Sequence, residues 1–412
     1  RKEAQFNTDK LFRNDGRNGD SIPHFTDVSL EAGINLEGYG LGVNITDINN
    51  DGWKDIFVSN DYITTDLLWI NNKNGTFTDK AAEYFKHTSY SAMGNDVGDI
   101  NNDGLPDIIE LDMNPEDNFR KKTMLNPNNY QNNQYFDYYN YQYQYGRNTL
   151  QLNRGNRVLQ NDSVGDPVFS EISFFSGIAE TDWSWAPLVA DFDNDGWRDI
   201  IITNGFRKDI SDHDFITYRD NSSSIVSKQQ LLDQIPEVKI PNYAFRNNGN
   251  LNFSNTSVEW GLDIPSYSNG AVYADLDNDG DIDCVMNNIN DSAFLFHNML
   301  NDDAGKQTQH YLRLKFEGAY SNPDGIGAIA YLYYDTNKVQ VYENTPYRGY
   351  LSTVSTVAHF GLGKHNVIDS VVVIWTNGQK QMLKEVKADQ LLMLRQEHAI
   401  QKNDFNRALL AE

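Results

Sequence analysis

Runs of five or six residues rich in β-branched and apolar side chains, each bounded by Gly, Asn or Asp, punctuate the chain. GVNIT, DIFVSN and DIIITN are of this kind, and their length and composition predict strands. The pattern also repeats on a larger scale. A small-residue segment (GYGLGVNI, SAMGNDVG, DWSWAPLVA, YSNGAVYA) precedes an acidic phrase, paired strands follow, and a phrase of the type LWINNKNGTFTDKAAE closes the unit. That closing phrase returns as LFRNDG…HFTDVSLEAGI near the start, as LQLNRG…VFSEISFFSGI at 150–178 and as FRNNGNLNFSNTSVEWGL at 245–262. About four short strands per unit predict one propeller blade each, and an all-β chain.

The acidic phrases are DINNDGWKD from Asp47, DINNDGLPD from Asp99, DFDNDGWRD from Asp191 and DLDNDGDID from Asp275. Each places carboxylates or amides at positions 1, 3, 5 and 9, and calcium accepts six to eight such oxygens from a tight loop, with the position-7 carbonyl adding another. The predicted ligands are Asp47, Asn49, Asp51, the Trp53 carbonyl and Asp55 in loop 1, and Asp99, Asn101, Asp103, the Leu105 carbonyl and Asp107 in loop 2. Loop 3 offers Asp191, Asp193, Asp195, the Trp197 carbonyl and Asp199; loop 4 offers Asp275, Asp277, Asp279, the Asp281 carbonyl and Asp283. Four structural Ca²⁺ ions are therefore expected. The glycine at position 6 (Gly52, Gly104, Gly196, Gly280) falls where the chain must turn sharply. Magnesium fits less well, because it requires a rigid octahedron. An EF-hand would add a glutamate at position 12 between helices, whereas that position holds Val58, Glu110, Ile202 and Met286 between strands.

Charge follows the loops. The formal net charge is −24, and residues 1–307 alone hold 23 basic and 48 acidic residues, a balance of −25. Without metal such crowding loosens a fold, and it argues against nucleic acid as a partner of this region. The single cysteine, Cys284, rules out an internal disulfide framework, and no apolar run is long enough to span a membrane. A first residue of Arg1, with no signal peptide behind it, reads as a processed or excised piece of something longer.

Loop starts advance by 52, 92 and 84 residues, so the longer units carry insertions. The first, at 113–147, holds NNYQNNQYFDYYNYQYQYG, a low-complexity tract whose bland reading is a surface loop and whose functional reading is contact with sugar or peptide. The second, at 206–242, contains SSSIVSKQQLLDQIP, which predicts a short helix with a serine cap and a proline stop.

These residues resemble the FG-GAP/VCBS-repeat proteins, whose blades carry the DxDxDG loop and build propellers like the integrin α-subunit head. The segment 308–398 is similar to the ASPIC/UnbV domain that follows such repeats in cartilage acidic protein and in bacterial surface proteins. NPDGIGA (322–328), RGYLS (348–352), HFGLG (359–363) and VVVIWTNG (371–378) carry that resemblance. It implies a seven-bladed ring, of which residues 1–307 supply four loop-bearing blades and a half-blade at 10–29, with three blades upstream; a four-bladed ring is the alternative. Open edge strands would then invite association with another chain. Alternation in YLRLKF, AIAYLYY and SVVVIW predicts a small antiparallel β-sandwich over 308–398, followed by a tail at 399–412.

Catalytic signatures are absent: there is no GxSxG elbow, HExxH helix, P-loop or CxxC pair. His359 in HFGLG reads as structural, and Trp183 and Trp185 as core. The favoured reading is a non-enzymatic, calcium-stabilised adhesion, ligand-binding or scaffold module, exported to the extracellular space or to a bacterial surface or periplasm, with a protein or glycan partner. Two alternatives stand beside it. One is a polysaccharide lyase or hydrolase using the propeller channel. The other is RNA binding through the terminal domain, which nine basic against eight acidic residues over 308–398 do little to attract.

Overall fold

The computed structural model describes residues 7–17, 19, 22–62, 64–125, 129–139, 141–160, 163–302, 308–335 and 338–402; from 403 onward the expected tail lies outside them. Four radial sheets follow one another in sequence. Blade 1 pairs Gly40–Thr46, Asp55–Asn60, Leu67–Asn71 and Phe77–Asp79 in that order. Blade 2 is built from Asn95–Gly98, Asp107–Glu110, Thr149–Val158 and Val164–Glu171. Blade 3 uses Asp182–Ala190, Asp199–Asn204, Tyr243–Asn247 and Phe253–Asn255, with Met113–Asn114 added at its inner edge. Blade 4 has three strands, Ser268–Ala274, Asp283–Asn288 and Phe294–Phe296. The half-blade expected at the start is a two-stranded hairpin, Phe12–Gly16 with His24–Asp27.

The blades adhere through apolar seams. In blade 3, Ile200 and Ile202 point to a cluster shared with Leu150 and Leu152 of blade 2, while Ile201 points to one shared with Ala271 and Met286 of blade 4. A strand covered on both faces needs no polar alternation, which is why DIIITN is apolar nearly throughout and every residue of it is buried. Blade 1 lacks such cover on one side. Two residues before each loop, Ile45 is 46% exposed whereas Val189 and Tyr273 are 6% and 5% exposed, and Val43 beside it is also exposed. Among the described residues the ring is therefore open at blade 1, and four blades with a hairpin do not reach the seven that the resemblance implies.

Residues 310–402 form the expected sandwich. One sheet sets His310–Glu317 between Val357–Gly363 and Gln390–Arg395; the other runs Lys338–Glu343, Ile329–Tyr334, Val367–Ile374, Gln379–Lys387, Gln401–Lys402. Leu312, Leu314 and Phe316 face Ala330, Leu332, Val371 and Val373 across one core. The sandwich is not wholly antiparallel, since His310–Glu317 and Gln390–Arg395 run parallel. A parallel neighbour needs a long crossover, and the chain supplies one by building most of the second sheet in between.

The sandwich is seated on the blades by the residues of its motifs. Within RGYLS, Arg348 lies 3.5 Å from Asp96 of blade 2, Tyr350 packs on Trp185 of blade 3 at 4.9 Å, and the Ser352 hydroxyl accepts the Ala271 N–H of blade 4 at 3.0 Å. Gly349 turns at φ +53° with Ala186 and Pro187 too close for any side chain. Trp183 and Trp185 are buried in a cluster that includes Met93 and Met124.

Both insertions are helical. The aromatic tract, expected as a loop, forms the helix Tyr130–Tyr139, which buries only Phe136. The second insertion holds His213–Ser222 and Lys228–Asp233, the latter closed by the Ser227–Gln230 capping box. Arg120, on the helix Asn118–Thr123, forks onto Asp182 at 2.7 and 3.0 Å and reaches Asp209 of the second insertion at 2.5 Å. Arg120→Ala strands two buried carboxylates, so a loss of about 3–5 kcal/mol is expected. Urea titration reads it, and early protease cleavage within 206–242 should accompany it.

Candidate metal centres

All four acidic phrases fold into the same loop between the first and second strands of a blade. The position-1 carboxylate holds the turn from inside. Asp47 accepts the N–H groups of Asp51 and Gly52 at 2.9 and 2.8 Å, Asp99 those of Asp103 and Gly104 at 3.1 and 2.9 Å, and Asp191 those of Asp195 and Gly196 at 3.2 and 2.8 Å. In loop 4 Asp275 accepts Gly280 N–H at 2.9 Å. Position 5 then accepts the N–H of position 7, from Asp51 to Trp53, Asp103 to Leu105, Asp195 to Trp197 and Asp279 to Asp281, at 2.8–3.1 Å.

Two residues per loop bend left-handed. The expected one is the glycine, with φ of +89°, +87°, +97° and +93° at Gly52, Gly104, Gly196 and Gly280. The other, which sequence reading missed, is position 4. Asn50, Asn102, Asn194 and Asn278 have φ of +56° to +66°, a region in which asparagine is the best tolerated residue after glycine. Its invariance across the copies was the available signal. The side chain has a second use: Asn102 donates to the Gly196 carbonyl at 2.9 Å and Asn194 to the Gly280 carbonyl at 3.1 Å, so each links its loop to the next.

Position 9 is a strut in every blade. Asp55 takes the N–H groups of Ile48 and Asn71, Asp107 those of Ile100 and Asn153, Asp199 those of Phe192 and Asn247, and Asp283 those of Leu276 and Asn298, all at 2.8–3.0 Å. One buried carboxylate thus ties the start of the loop to the third strand or, in blade 4, to the residues just after it. Each oxygen keeps a second lone pair that a cation can use.

The loops differ in how closely their acids gather. Oxygens of Asp191, Asp193 and Asp199, and of Asp275, Asp277 and Asp279, lie within 4.8 Å of one another. Among the described residues the aspartates of loops 1 and 2 form no such trio. There the position-3 amides bond inward instead, Asn49 to Asp51 at 3.0 Å and Asn101 to Asp103 at 2.8 Å. A hard cation fits loop 4 on independent grounds, because Asp275 Oδ1, Asp279 Oδ2 and Asp281 Oδ1 are buried without a hydrogen-bond partner. The guanidinium of Arg313, from the sandwich, already rests on Asp275 Oδ2.

Burial, reinforced by neighbouring acids, pushes Asp55, Asp99 and Asp281 up to about 7 and Asp195 up to about 6. Asp107, Asp191 and Asp199 rise well above the ordinary carboxylate range for the same reason. The metal-free folded state therefore binds more protons than the unfolded chain. Its stability is greatest below the unfolded value of 3.8 as far as these groups are concerned, and is lost as pH rises through about 7. In chelator the melting temperature is expected to fall steadily between about pH 5 and pH 8; a rise over that interval would contradict the assignment.

His359 and its neighbours form the seat of loop 3. Its Nε2 lies 2.6 Å from Asn194 Oδ1, its ring stacks on Tyr311, and burial together with Arg313 pushes it down to about 3, so it stays neutral. Gly361 lies so close to Asp191 Oδ2 and the Asn194 backbone that no β-carbon fits between them, and Gly363 N–H donates to the Asn194 carbonyl at 2.8 Å. HFGLG is thus a cradle for one of the acidic loops.

Residues 47–109 match the family described as FG-GAP-like repeat, and residues 318–401 match that described as ASPIC and UnbV. Cartilage acidic protein 1 of Mus musculus is 25% identical over 375 residues, 89% of this chain and 46% of its own. The Homo sapiens protein of the same name is 26% identical over 363 residues, 86% of this chain and 43% of its own. This chain spans less than half the length of these curated relatives. The chain thus resembles an FG-GAP-like repeat over 47–109 and ASPIC and UnbV over 318–401, and is similar to cartilage acidic protein 1 along most of its length.

Proposed function

We propose that this chain is a calcium-stabilised scaffold or adhesion module of an extracellular protein, with calcium held at the acidic loops as a structural ion. The observation that carries this reading is the shape of the loops. Four copies share one backbone course with two left-handed residues, and loop 4 holds three buried carboxylate oxygens without a donor. Residues 1–307 act as the propeller part and 308–398 as the sandwich. Similarity to cartilage acidic protein 1 supports the extracellular setting, where calcium is abundant enough for sites of about 10⁻⁴–10⁻³ M affinity.

A ligand surface is available beside loop 1. A groove of about 800 Å³ lies between that loop and the sandwich, lined by Trp53, Lys54, Lys73, Asn71, Asn156 and Thr376. Trp53 is half exposed there, Asp47 and Asp51 line the same groove, and Lys54 and Lys73 are paired with Glu343 and Asp51, so an aromatic face among amides and balanced charges suits a glycan or a protein side chain.

Melting with about 10 mM calcium against excess chelator tests the structural role. Two sites of such affinity, taking loops 3 and 4 where the aspartates gather, add about 3–5 kcal/mol together, a rise of about 4–6 °C for a chain of this length. Equal melting temperatures would remove calcium from the proposal.

A further inference from the structure

At the end of the blades away from the acidic loops, a second group of buried oxygens lies between blades 1 and 2. We propose that Asp66, Glu110 and Asn95 hold a further hard divalent cation of the calcium class at this seam, clamping the two blades together.

The internal repeat shows that these residues are departures from the blade pattern. The N–H groups of Asn71, Asn153, Asn247 and Asn298 all bond the position-9 strut, which fixes the register of the four third strands. Five residues earlier stand Asp66, Asn148, Asn242 and Ala293. The first three do the same task, accepting the N–H of Asn60, Asp112 and Asn204 at 2.8–2.9 Å. An amide suffices for that in two blades, so the charge at Asp66 serves something else. Glu110 replaces what is Val58, Ile202 and Met286 in the other copies, and Asn95 replaces Val43, Pro187 and Ala271. Three positions that are neutral or apolar elsewhere turn acidic or polar together.

Geometry brings them to one place. Asn95 lies directly across from Glu110, and Glu110 directly across from Thr149, so their side chains share one face of blade 2. The Asn95 amide donates to Ser59 Oγ of blade 1 at 2.7 Å, which aims the other end of that amide into the seam. Ser59 and Asp66, both of blade 1, lie against the Glu110 carboxylate. Asp66, Ser59, Asn95 and Glu110 are all 0–1% exposed. Asn95 Oδ1 has no hydrogen-bond partner, and neither has Gln151 Oε1 farther along the same face of blade 2; Asp66 Oδ2 and Glu110 Oε1 face each other across the seam, close enough to share a proton or a cation. Burying two adjacent carboxylates without a cation is costly, and burial raises both, Glu110 to about 7. The donors are all oxygen, two of them charged, which suits calcium and not the softer zinc class.

The test uses the full chain and calcium alone. Wild type, Asp66→Asn and Glu110→Gln are dialysed to equilibrium against a calcium buffer of about 10 mM, and their bound calcium, the excess over the dialysate, is counted by emission spectrometry against protein. Each variant is expected to carry one ion fewer than wild type, and the double variant no fewer than either single. Equal counts in wild type and Asp66→Asn overturn the proposal and leave a proton shared by the two acids. Asp66→Asn installs the residue blades 2 and 3 already use, so it decides the matter should Glu110→Gln fail to fold. Because the readout is a difference of one ion, it stands whether or not the acidic loops bind calcium.

Discussion

Asp199→Ala is expected to lose about 3–5 kcal/mol of stability in the presence of chelator, before any metal enters the comparison. The side chain is fully buried, and its two oxygens are the acceptors of the Phe192 and Asn247 N–H groups. Each buried N–H left unpaired costs about 1–3 kcal/mol, and the space vacated adds to that. Asp199→Asn keeps one acceptor and turns an N–H₂ toward the other donor, so its loss should be smaller. Urea unfolding of the three proteins in chelator reads the order directly. If Asp199→Ala were as stable as wild type there, the strut would have no structural weight and the residue would serve the metal alone.

Arg348→Met should cost a similar amount, about 3–5 kcal/mol, for a different reason. Asp96 is fully buried, and its Oδ2 accepts Val189 N–H of blade 3 at 2.9 Å. Arg348 is the main cation that balances it, with Arg198 adding a weaker share, and removing the main partner of a buried pair leaves the other charge poorly compensated. Pairing Arg348→Met with Asp96→Asn removes that charge, so the double variant is expected to regain most of the loss. A double variant as unstable as Arg348→Met would mean that the arginine acts by packing. The same titration should show whether sandwich and propeller unfold together, since RGYLS touches three blades.

Much of the architecture could be read from the sequence because it repeats. Strand runs, loop positions and the capped helix after Ser227 are local patterns, written several times or marked by strong cap chemistry. What stayed hidden depends on partners far along the chain. The struts join residues up to 48 apart in blade 3, and Arg348 meets a carboxylate on another domain. Low complexity misled at 130–139, where tyrosine, asparagine and glutamine form a helix held by one buried ring, Phe136. The parallel pair in the sandwich could not be inferred from alternation, which is the same for either direction. At the loops the acidic spacing and the glycine turn were legible, but the role of position 4 was not, because an asparagine in an asparagine-rich chain attracts no notice.

That asparagine gives the loops a polarity. Asn102 reaches forward to Gly196 and Asn194 forward to Gly280, each binding the carbonyl at the sharpest bend of the loop ahead. Support therefore runs one way around the rim. Asn102→Ala should loosen loop 3 while leaving loop 1 unaffected, and a chain cut back by one blade would lose its neighbours' support on one flank only. Blades joined in this manner are not interchangeable beads: blades 2 and 3 are each keyed to the blade that follows, and shuffling their order would break the key even if every blade kept its own shape.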